Sequence, residues 1–175
     1  MKEYSGIIFD LDGTLYEKNK MGLKMIINKP FDARRIKASR TVLKNLEGSF
    51  FKTGDAFLEK YYTLLAEKIK TNITNAKKWE QESFYKNFIS ILKKTKPRQG
   101  IEELIKSFHC PCIILSDYAM IDERLKALNI NPELFSHRLY SGDLGGLKPS
   151  SEVFLRASEI MECKPETILV IGDDP

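Results

Sequence analysis

The stretch IIFDLDGTLYE, residues 7–17, joins the pattern of a buried strand to two closely spaced carboxylates. Residues 7–9 are apolar without alternation, which is typical of a parallel strand that is buried on both faces. Asp10 and Asp12 follow directly, and Gly13 allows the backbone to turn after them. Because a carboxylate is costly at the end of a buried strand unless it has a partner, this pattern indicates a functional site.

The composition of the 175-residue chain is that of an ordinary globular protein, with 42% hydrophobic and 30% charged residues. No apolar run approaches the ~20 residues that a membrane-spanning helix requires. The N-terminal sequence MKEYSGIIFD lacks the pattern of a signal peptide. The three cysteines are an odd number, which favours free thiols in a reducing compartment. We therefore expect a cytoplasmic protein with no membrane partner.

Charge is distributed unevenly along the chain. Residues 16–98 contain 20 Lys and Arg against 8 Asp and Glu, a net charge of +12, whereas the other residues contain 8 basic and 16 acidic side chains, a net charge of −8. This difference indicates two structural units. A basic segment can bind nucleic acid, but solvated helix faces explain most of these lysines, and we expect no nucleic-acid partner.

The basic segment is predicted to be a small bundle of helices. One helix is expected over residues 32–46, ending near Gly48. In DAFLEKYYTLLAEKIK and KKWEQESFYKNFISILKK, apolar residues recur at the spacing i, i+4, i+7, i+8 and form one stripe on each helix. The stripes consist of Phe57, Tyr61, Leu64 and Leu65 in the first helix and Phe84, Phe88, Ile91 and Leu92 in the second.

After Pro97 the pattern changes to alternating helices and strands. Helices are predicted in GIEELIKSF, MIDERLKALNI and SSEVFLRASEIM, and strands in PCIILSD and TILVIGDD. Such alternation favours an α/β fold with a Rossmann-like parallel sheet. The expected domains are an α/β core made of residues 1–15 and 99–175, and a helical domain, residues 16–98, inserted after the first strand.

Polar residues follow three of the predicted strands, and a lysine precedes one predicted helix. In an open parallel sheet these positions share one rim, where ligands bind. Carboxylates that are ionised at neutral pH need a cation, and a few oxygen ligands with room for water and phosphate suit Mg²⁺ better than Zn²⁺. The residues are Asp10, Asp12, Gly13 and Thr14 after the first strand, Ser116 and Asp117 after the second, Asp173 and Asp174 after the last, and Lys148 before the helix.

These motifs, in this order, resemble those of the haloacid dehalogenase-like superfamily of hydrolases. The resemblance covers residues 5–15 and 100–175, and the helical insert stands in the position of that family's cap domain. It implies a Mg²⁺-dependent phosphatase that hydrolyses a small phosphorylated metabolite. Asp12 argues against a dehalogenase, which does not need this acid. A phosphomutase of the β-phosphoglucomutase type and a non-catalytic binding module remain alternatives.

The resemblance also implies a role for each motif residue. Asp10 would be the nucleophile that forms an aspartyl-phosphate, and Asp12 would be the general acid and base. Ser116 would donate a hydrogen bond to a phosphoryl oxygen, and Lys148 would neutralise Asp10 and the transferred group. Gly13 and Thr14 would shape the loop that binds the phosphate. The implied Mg²⁺ ligands are Asp10, the main-chain carbonyl of Asp12 and Asp173, with Asp174 in the surrounding shell.

Two features depart from the family pattern. Asp117 stands where many relatives have Asn or Gly, and it is expected either to face away from the phosphate or to hold a residue of the insert. The sequence also ends at Pro175, where relatives usually continue with a further acidic residue and a further strand. We therefore expect the C-terminal part of the core to be missing and residues 167–172 to form an exposed edge strand. Two chains are expected to be able to pair there as a homodimer.

Overall fold

A four-stranded parallel sheet forms the centre of the structure, a computed structural model that describes residues 4–173. The strands are β1 (Gly6–Phe9), β2 (Cys112–Ser116), β3 (His137–Tyr140) and β4 (Ile168–Ile171). Their order across the sheet is β3-β2-β1-β4, and every pair is parallel. The predicted Rossmann-like α/β fold is therefore confirmed.

Of the six α-helices between β1 and β2 in the described residues, five lie inside the segment that the sequence predicts as an insert. They are α1 (Met21–Asn28), α2 (Ala33–Leu46), α3 (Gly54–Ile69), α4 (Ile73–Trp79) and α5 (Lys86–Leu92). A π-helical segment, Glu80–Tyr85, joins α4 to α5. The remaining helices, α6 (Ile101–Ser107), α7 (Ile121–Ala127) and α8 (Ser151–Ile160), alternate with the strands as predicted.

The sequence pattern did not predict strand β3, and it did not predict helix α1. Met25 is its one buried residue, while Leu23 and Ile27 are exposed. Its apolar residues therefore do not form a single buried stripe of the kind that identifies an amphipathic helix.

Strand β1 is buried on both faces, which explains its continuous apolar sequence. Ile7 and Phe9 belong to a large hydrophobic cluster that includes side chains of the insert. Ile8 points to the other face and belongs to a smaller cluster, in which Val153 and Ala157 of α8 also lie. Alternate residues of a strand face opposite sides of a sheet, so each side needs its own apolar partners.

The helices of the insert bury the predicted stripes against one another and against the sheet. Phe57, Tyr61 and Leu65 of α3 are buried, and Leu64 is half-buried. The ring of Phe57 meets the ring of Tyr140 in β3 edge to face, with centroids 6.5 Å apart. Since one hydrophobic cluster contains residues of both the insert and the sheet, the domain boundaries at residues 15 and 99 stay a prediction.

Strand β4 lies at the edge of the sheet, as the sequence predicts. It pairs with β1 on one side, from Gly6 opposite Ile168 to Phe9 opposite Ile171. Val170 is 50% exposed, so the strand also presents apolar surface to solvent. Among the helices of residues 4–173, none has the length and apolar composition needed to cross a membrane.

A carboxyl group is buried inside the insert. Glu80 begins the π-helical segment, and its two oxygens accept hydrogen bonds from the hydroxyls of Tyr61 and Tyr62, the second at 2.7 Å. Burial raises the pKa of Glu80, although the two tyrosine donors act in the opposite direction. Burial therefore favours the protonated form of this side chain.

Replacing Glu80 with Gln is expected to make the protein relatively more stable as the pH rises. A carboxyl group whose pKa is raised by folding favours the folded state below its unfolded pKa, and this contribution is lost as the pH rises through the folded pKa. Chemical denaturation of the parent and Glu80→Gln between about pH 5 and pH 8 measures this difference. Glu82→Gln, at an exposed position of the same segment, is the control. A difference in unfolding free energy that does not change with pH would contradict the argument.

Candidate active site

A cavity of about 430 Å³ lies at the carboxyl ends of β1, β2 and β4. Parallel strands end at one rim of the sheet, which is where an α/β protein binds its ligands. The structure brings most of the predicted site residues together there. Those that line the cavity are Asp10, Asp12, Asp117, Lys148 and Asp173.

Asp10 has two partners in this cavity. The ammonium group of Lys148 forms an ion pair with Oδ1, and the hydroxyl of Thr14 donates a hydrogen bond to Oδ2 at 3.2 Å. Burial raises the pKa of Asp10, Lys148 lowers it, and the charges of Asp12 and Asp173 raise it further. Lys148 is therefore the group that favours the ionised form of Asp10.

The loop that follows β1 is held by an arginine from the end of the insert. Gly13 has a φ of 101°, a conformation that favours glycine. The Nε and Nη2 groups of Arg98 donate to the main-chain carbonyls of Thr14 and Gly13, each at 2.9 Å. Sequence analysis missed this residue, because nothing in the linear pattern distinguishes it from the other basic residues of the segment.

Both oxygens of the Asp12 carboxylate contact neighbouring side chains. Oδ1 accepts a hydrogen bond from the Tyr16 hydroxyl at 2.6 Å. Oδ2 accepts from the Ser116 hydroxyl at 3.2 Å and forms an ion pair with Arg124. Burial alone would raise the pKa of Asp12, but the Arg124 guanidinium and the hydroxyl donors hold it below its ordinary value. Asp12 is thus held as a carboxylate.

Arg124 lies entirely out of solvent beneath the site. Its Nη1 group donates to the main-chain carbonyl of Tyr118 at 2.8 Å and to the hydroxyl of Ser116 at 3.1 Å. The guanidinium also lies over the ring of Phe88, a residue of the insert, 4.9 Å from its centroid. Sequence analysis missed Arg124, although its place on the apolar stripe of α7, with Ile121, Leu125 and Leu128 at helical spacing, is a signal that could have identified it.

The two residues that end and follow β2 have different surroundings. Ser116 is fully buried, and its hydroxyl contacts Asp12 and Arg124. Asp117 lines the cavity, where Oδ1 accepts hydrogen bonds from the Ser141 hydroxyl at 2.5 Å and from the main-chain N–H of Lys148 at 3.1 Å. Asp117 therefore holds the loop that carries Lys148, which is part of the core and not of the insert.

Asp173 lies against the loop after β1. A Cβ atom on Gly13 would be 2.2 Å from Oδ2 of Asp173, so only glycine leaves room for this carboxylate. Lys18 forms an ion pair with the same oxygen at 2.7 Å. Asp173 therefore lies in the same cavity as Asp10, and its role as a Mg²⁺ ligand stays a prediction. Asp174 lies outside the described residues.

The residues present fit a hard cation with few protein ligands. Within residues 4–173, no three side chains of His, Cys, Asp or Glu are grouped so that they could hold a metal ion. Asp12 directs its carboxylate to Arg124, which leaves Asp10 and Asp173 as the carboxylates of the predicted ligand set. Mg²⁺ commonly takes one or two carboxylates and fills its other positions with water and substrate phosphate. The metal ligands named from the sequence stay a prediction.

Removing Arg124 is expected to destabilise the protein strongly. Arg124→Met would leave the carboxylate of Asp12 buried without a counter-charge, which costs about 3–5 kcal/mol. The double variant Asp12→Asn/Arg124→Met should recover part of this loss, because an amide needs no counter-charge. Unfolding in urea measures both free energies.

The control is Lys106→Met, which removes an exposed ion pair with Glu102 at 3.6 Å and should cost at most about 1 kcal/mol. If the effects of Asp12→Asn and Arg124→Met are simply additive, the two side chains are not coupled and the argument fails.

Solved structures from several bacteria share this fold. CbbY from Rhodobacter sphaeroides, solved in complex with phosphate, has a TM-score of 0.63 and 18% identity, and the match covers 95% of this chain and 76% of CbbY. YfnB from Bacillus subtilis, solved with bound magnesium, has a TM-score of 0.59 and 19% identity, with 99% and 81% covered. L-2-haloacid dehalogenase from Xanthobacter autotrophicus has a TM-score of 0.56 and 16% identity, with 95% and 69% covered. At these identities the likeness shows the fold alone.

No curated protein matches the sequence of this chain. The model of the haloacid dehalogenase-like hydrolases matches residues 4–175, which is nearly the whole chain. With that match, and with the motif residues assembled at one rim of a parallel sheet, the chain belongs to the haloacid dehalogenase-like hydrolases.

Proposed function

We propose that this hydrolase is a Mg²⁺-dependent phosphatase that acts on a small phosphorylated metabolite through an aspartyl-phosphate on Asp10. The observation that carries the proposal is the second carboxylate, Asp12, which lines the same cavity as Asp10 and its partner Lys148. Cleavage of a phosphoester needs a group that exchanges protons with the leaving oxygen and with water. A dehalogenase releases halide and needs no such group, although dehalogenases share the fold.

In the first step, a carboxylate oxygen of Asp10 attacks phosphorus. The bond between phosphorus and the leaving oxygen breaks, and its electron pair goes to that oxygen. Lys148 contacts Asp10, so its charge can offset the negative charge of the transferred group. Asp10, Asp173 and the main-chain carbonyl of Asp12 would hold Mg²⁺, which supplies further positive charge to the phosphoryl oxygens when bound.

In the second step, water hydrolyses the aspartyl-phosphate and a base must accept a proton from this water. Asp12 suits this role, since Arg124 and Tyr16 hold it as a carboxylate. The same contacts disfavour the protonated form that would donate to the leaving oxygen in the first step. We therefore expect the enzyme to favour esters whose leaving group has a low pKa, such as p-nitrophenol.

The variant Asp10→Asn tests the proposed nucleophile. An amide is a poor nucleophile, so hydrolysis of p-nitrophenyl phosphate in the presence of Mg²⁺ should fall by about 10³-fold or more. Asp55→Asn, at an exposed position of α3, is the matched control. Turnover of Asp10→Asn within about tenfold of the parent would show that Asp10 is not the nucleophile.

The same assay separates the proposed phosphatase from its alternatives. Chelation of Mg²⁺ should abolish release of inorganic phosphate. Release of chloride from 2-chloropropionate would instead indicate a dehalogenase, and transfer of phosphate to a second hydroxyl of a sugar phosphate would indicate a phosphomutase. A protein that does none of these is not an enzyme of the proposed class.

Asp117 is expected to affect activity through the position of Lys148. Asp117→Asn keeps the carbonyl oxygen that accepts from Ser141 and from the main chain of Lys148, and should retain most of the activity. Asp117→Ala removes the acceptor and should lower kcat by about tenfold or more, because small displacements of catalytic groups are costly. Steady-state kinetics with p-nitrophenyl phosphate measure both. Equal activity of the two variants would show that these hydrogen bonds do not position Lys148.

A further inference from the structure

The cleft above the sheet extends beyond the cavity that contains Asp10. A second cavity, of about 410 Å³, lies beside Asp12 and Tyr16, and a third, of about 590 Å³, lies beside Asp117 and Lys148. Tyr118 lines all three cavities. The three cavities therefore adjoin at this side chain, and together they make up the cleft.

One face of α2 lines this cleft with positive charge. Lys37, Arg40, Thr41 and Lys44 line the third cavity and are spaced i, i+3, i+4 and i+7, so they share one side of the helix. Within residues 4–173, none of these three cations forms an ion pair with a carboxylate. Glu47 and Asp117 line the same third cavity, but neither forms an ion pair with Lys37, Arg40 or Lys44.

Among these cations, Arg40 contacts the neighbouring helix α1. It lines both the second and the third cavity. A Cβ atom on Gly22 would be 1.9 Å from Nη1 of Arg40 and 2.8 Å from its Cζ. The guanidinium thus lies against the main chain of α1 at Gly22. Arg40 is an exposed residue, and its guanidinium end is the part that contacts this helix.

The position of Arg40 indicates what it would bind. Arg40 does not line the cavity that contains Asp10, where Lys148 already faces the transferred phosphoryl group. A substrate anion at Arg40 must therefore be a second group. A guanidinium presents a planar pair of donors, which matches the two oxygens of a carboxylate or of a phosphate.

We propose that the cleft recognises a phosphorylated metabolite that carries a second anionic group, and that Arg40 is the specificity-determining residue for that group. Lys37 and Lys44 add positive charge along the same wall of the cleft. The substrate class is a small phosphomonoester with a carboxylate or a second phosphate. This inference rests on the proposed function, because it concerns the substrate of the same site.

Two pairs of substrates test the proposal in the full chain with Mg²⁺. Each pair differs in the second anion: 3-phosphoglycerate against glycerol 3-phosphate, and glucose 1,6-bisphosphate against glucose 6-phosphate. The measured quantity is the ratio of kcat/KM within a pair. In the parent, at least one ratio should favour the substrate with two anionic groups, and the larger ratio identifies carboxylate or phosphate as the preferred group.

Variants then assign the preference to Arg40. Arg40→Gln should lower the ratio by about tenfold or more, and Arg40→Lys should restore part of it. Gly22→Ala should act in the same direction by displacing the guanidinium. The control is Lys68→Gln, which removes the same charge from an exposed position of α3 outside the three cavities. Parent ratios near one for both pairs, or an equal effect of Lys68→Gln, would overturn the proposal.

Binding measurements separate this proposal from the proposed function. Calorimetry with Asp10→Asn compares the affinities for 3-phosphoglycerate and glycerol 3-phosphate without turnover. If the parent hydrolyses no phosphoester but this affinity difference exists and depends on Arg40, the subsite is present and the proposed activity is wrong. If the parent hydrolyses phosphoesters but neither substrate pair shows a preference, the activity is right and the subsite is wrong.

Discussion

The buried ion pair between Asp12 and Arg124 connects four parts of the structure. Arg124 lies on α7. Its guanidinium contacts the side chains of Asp12 after β1, Ser116 at the end of β2 and Phe88 in the insert. Removing two charges from water is unfavourable, and only close contact with several hydrogen bonds offsets this cost. The hydrogen bonds from Tyr16 and Ser116 to Asp12 provide that compensation. The position of the insert over the sheet is therefore linked to the position of the Asp12 carboxylate.

The site brings four carboxylate groups close together. Asp10, Asp12, Asp117 and Asp173 line one cavity, and each has a different partner. Lys148 pairs with Asp10, Arg124 with Asp12, the hydroxyl of Ser141 with Asp117, and Lys18 with Asp173. Because the partners come from different elements, the carboxylates stay close together only while the fold is intact. Negative charge without such partners would repel an anionic ligand.

Much of the fold followed from local patterns, and most of what did not follow depends on tertiary contacts. The apolar stretch before Asp10 and the alternation of helices and strands after Pro97 predicted the parallel sheet, because both patterns arise from burial of strands on two faces. The motif residues were predicted to share one rim because the carboxyl ends of parallel strands lie at the same edge of the sheet. Arg98 and Arg124 were missed, since their partners lie far away along the chain: Arg98 binds carbonyls of residues 13 and 14, and Arg124 binds Asp12. Helix α1 was missed because it buries one apolar side chain.

The π-helical segment Glu80–Tyr85 sets the rotation of α5 relative to α4. It carries Tyr85, whose hydroxyl accepts a hydrogen bond from the main-chain N–H of Ala119 in the loop after β2, and it precedes Phe88 beneath Arg124. In a regular α-helix each residue turns the chain by about 100°. Loss of one residue from this segment would therefore turn Phe88 about a quarter of a circle away from the guanidinium. The extra residue of the wider turn keeps Tyr85 in contact with Ala119 and Phe88 in contact with Arg124. The chain length of this segment is therefore constrained even where side-chain identity is not.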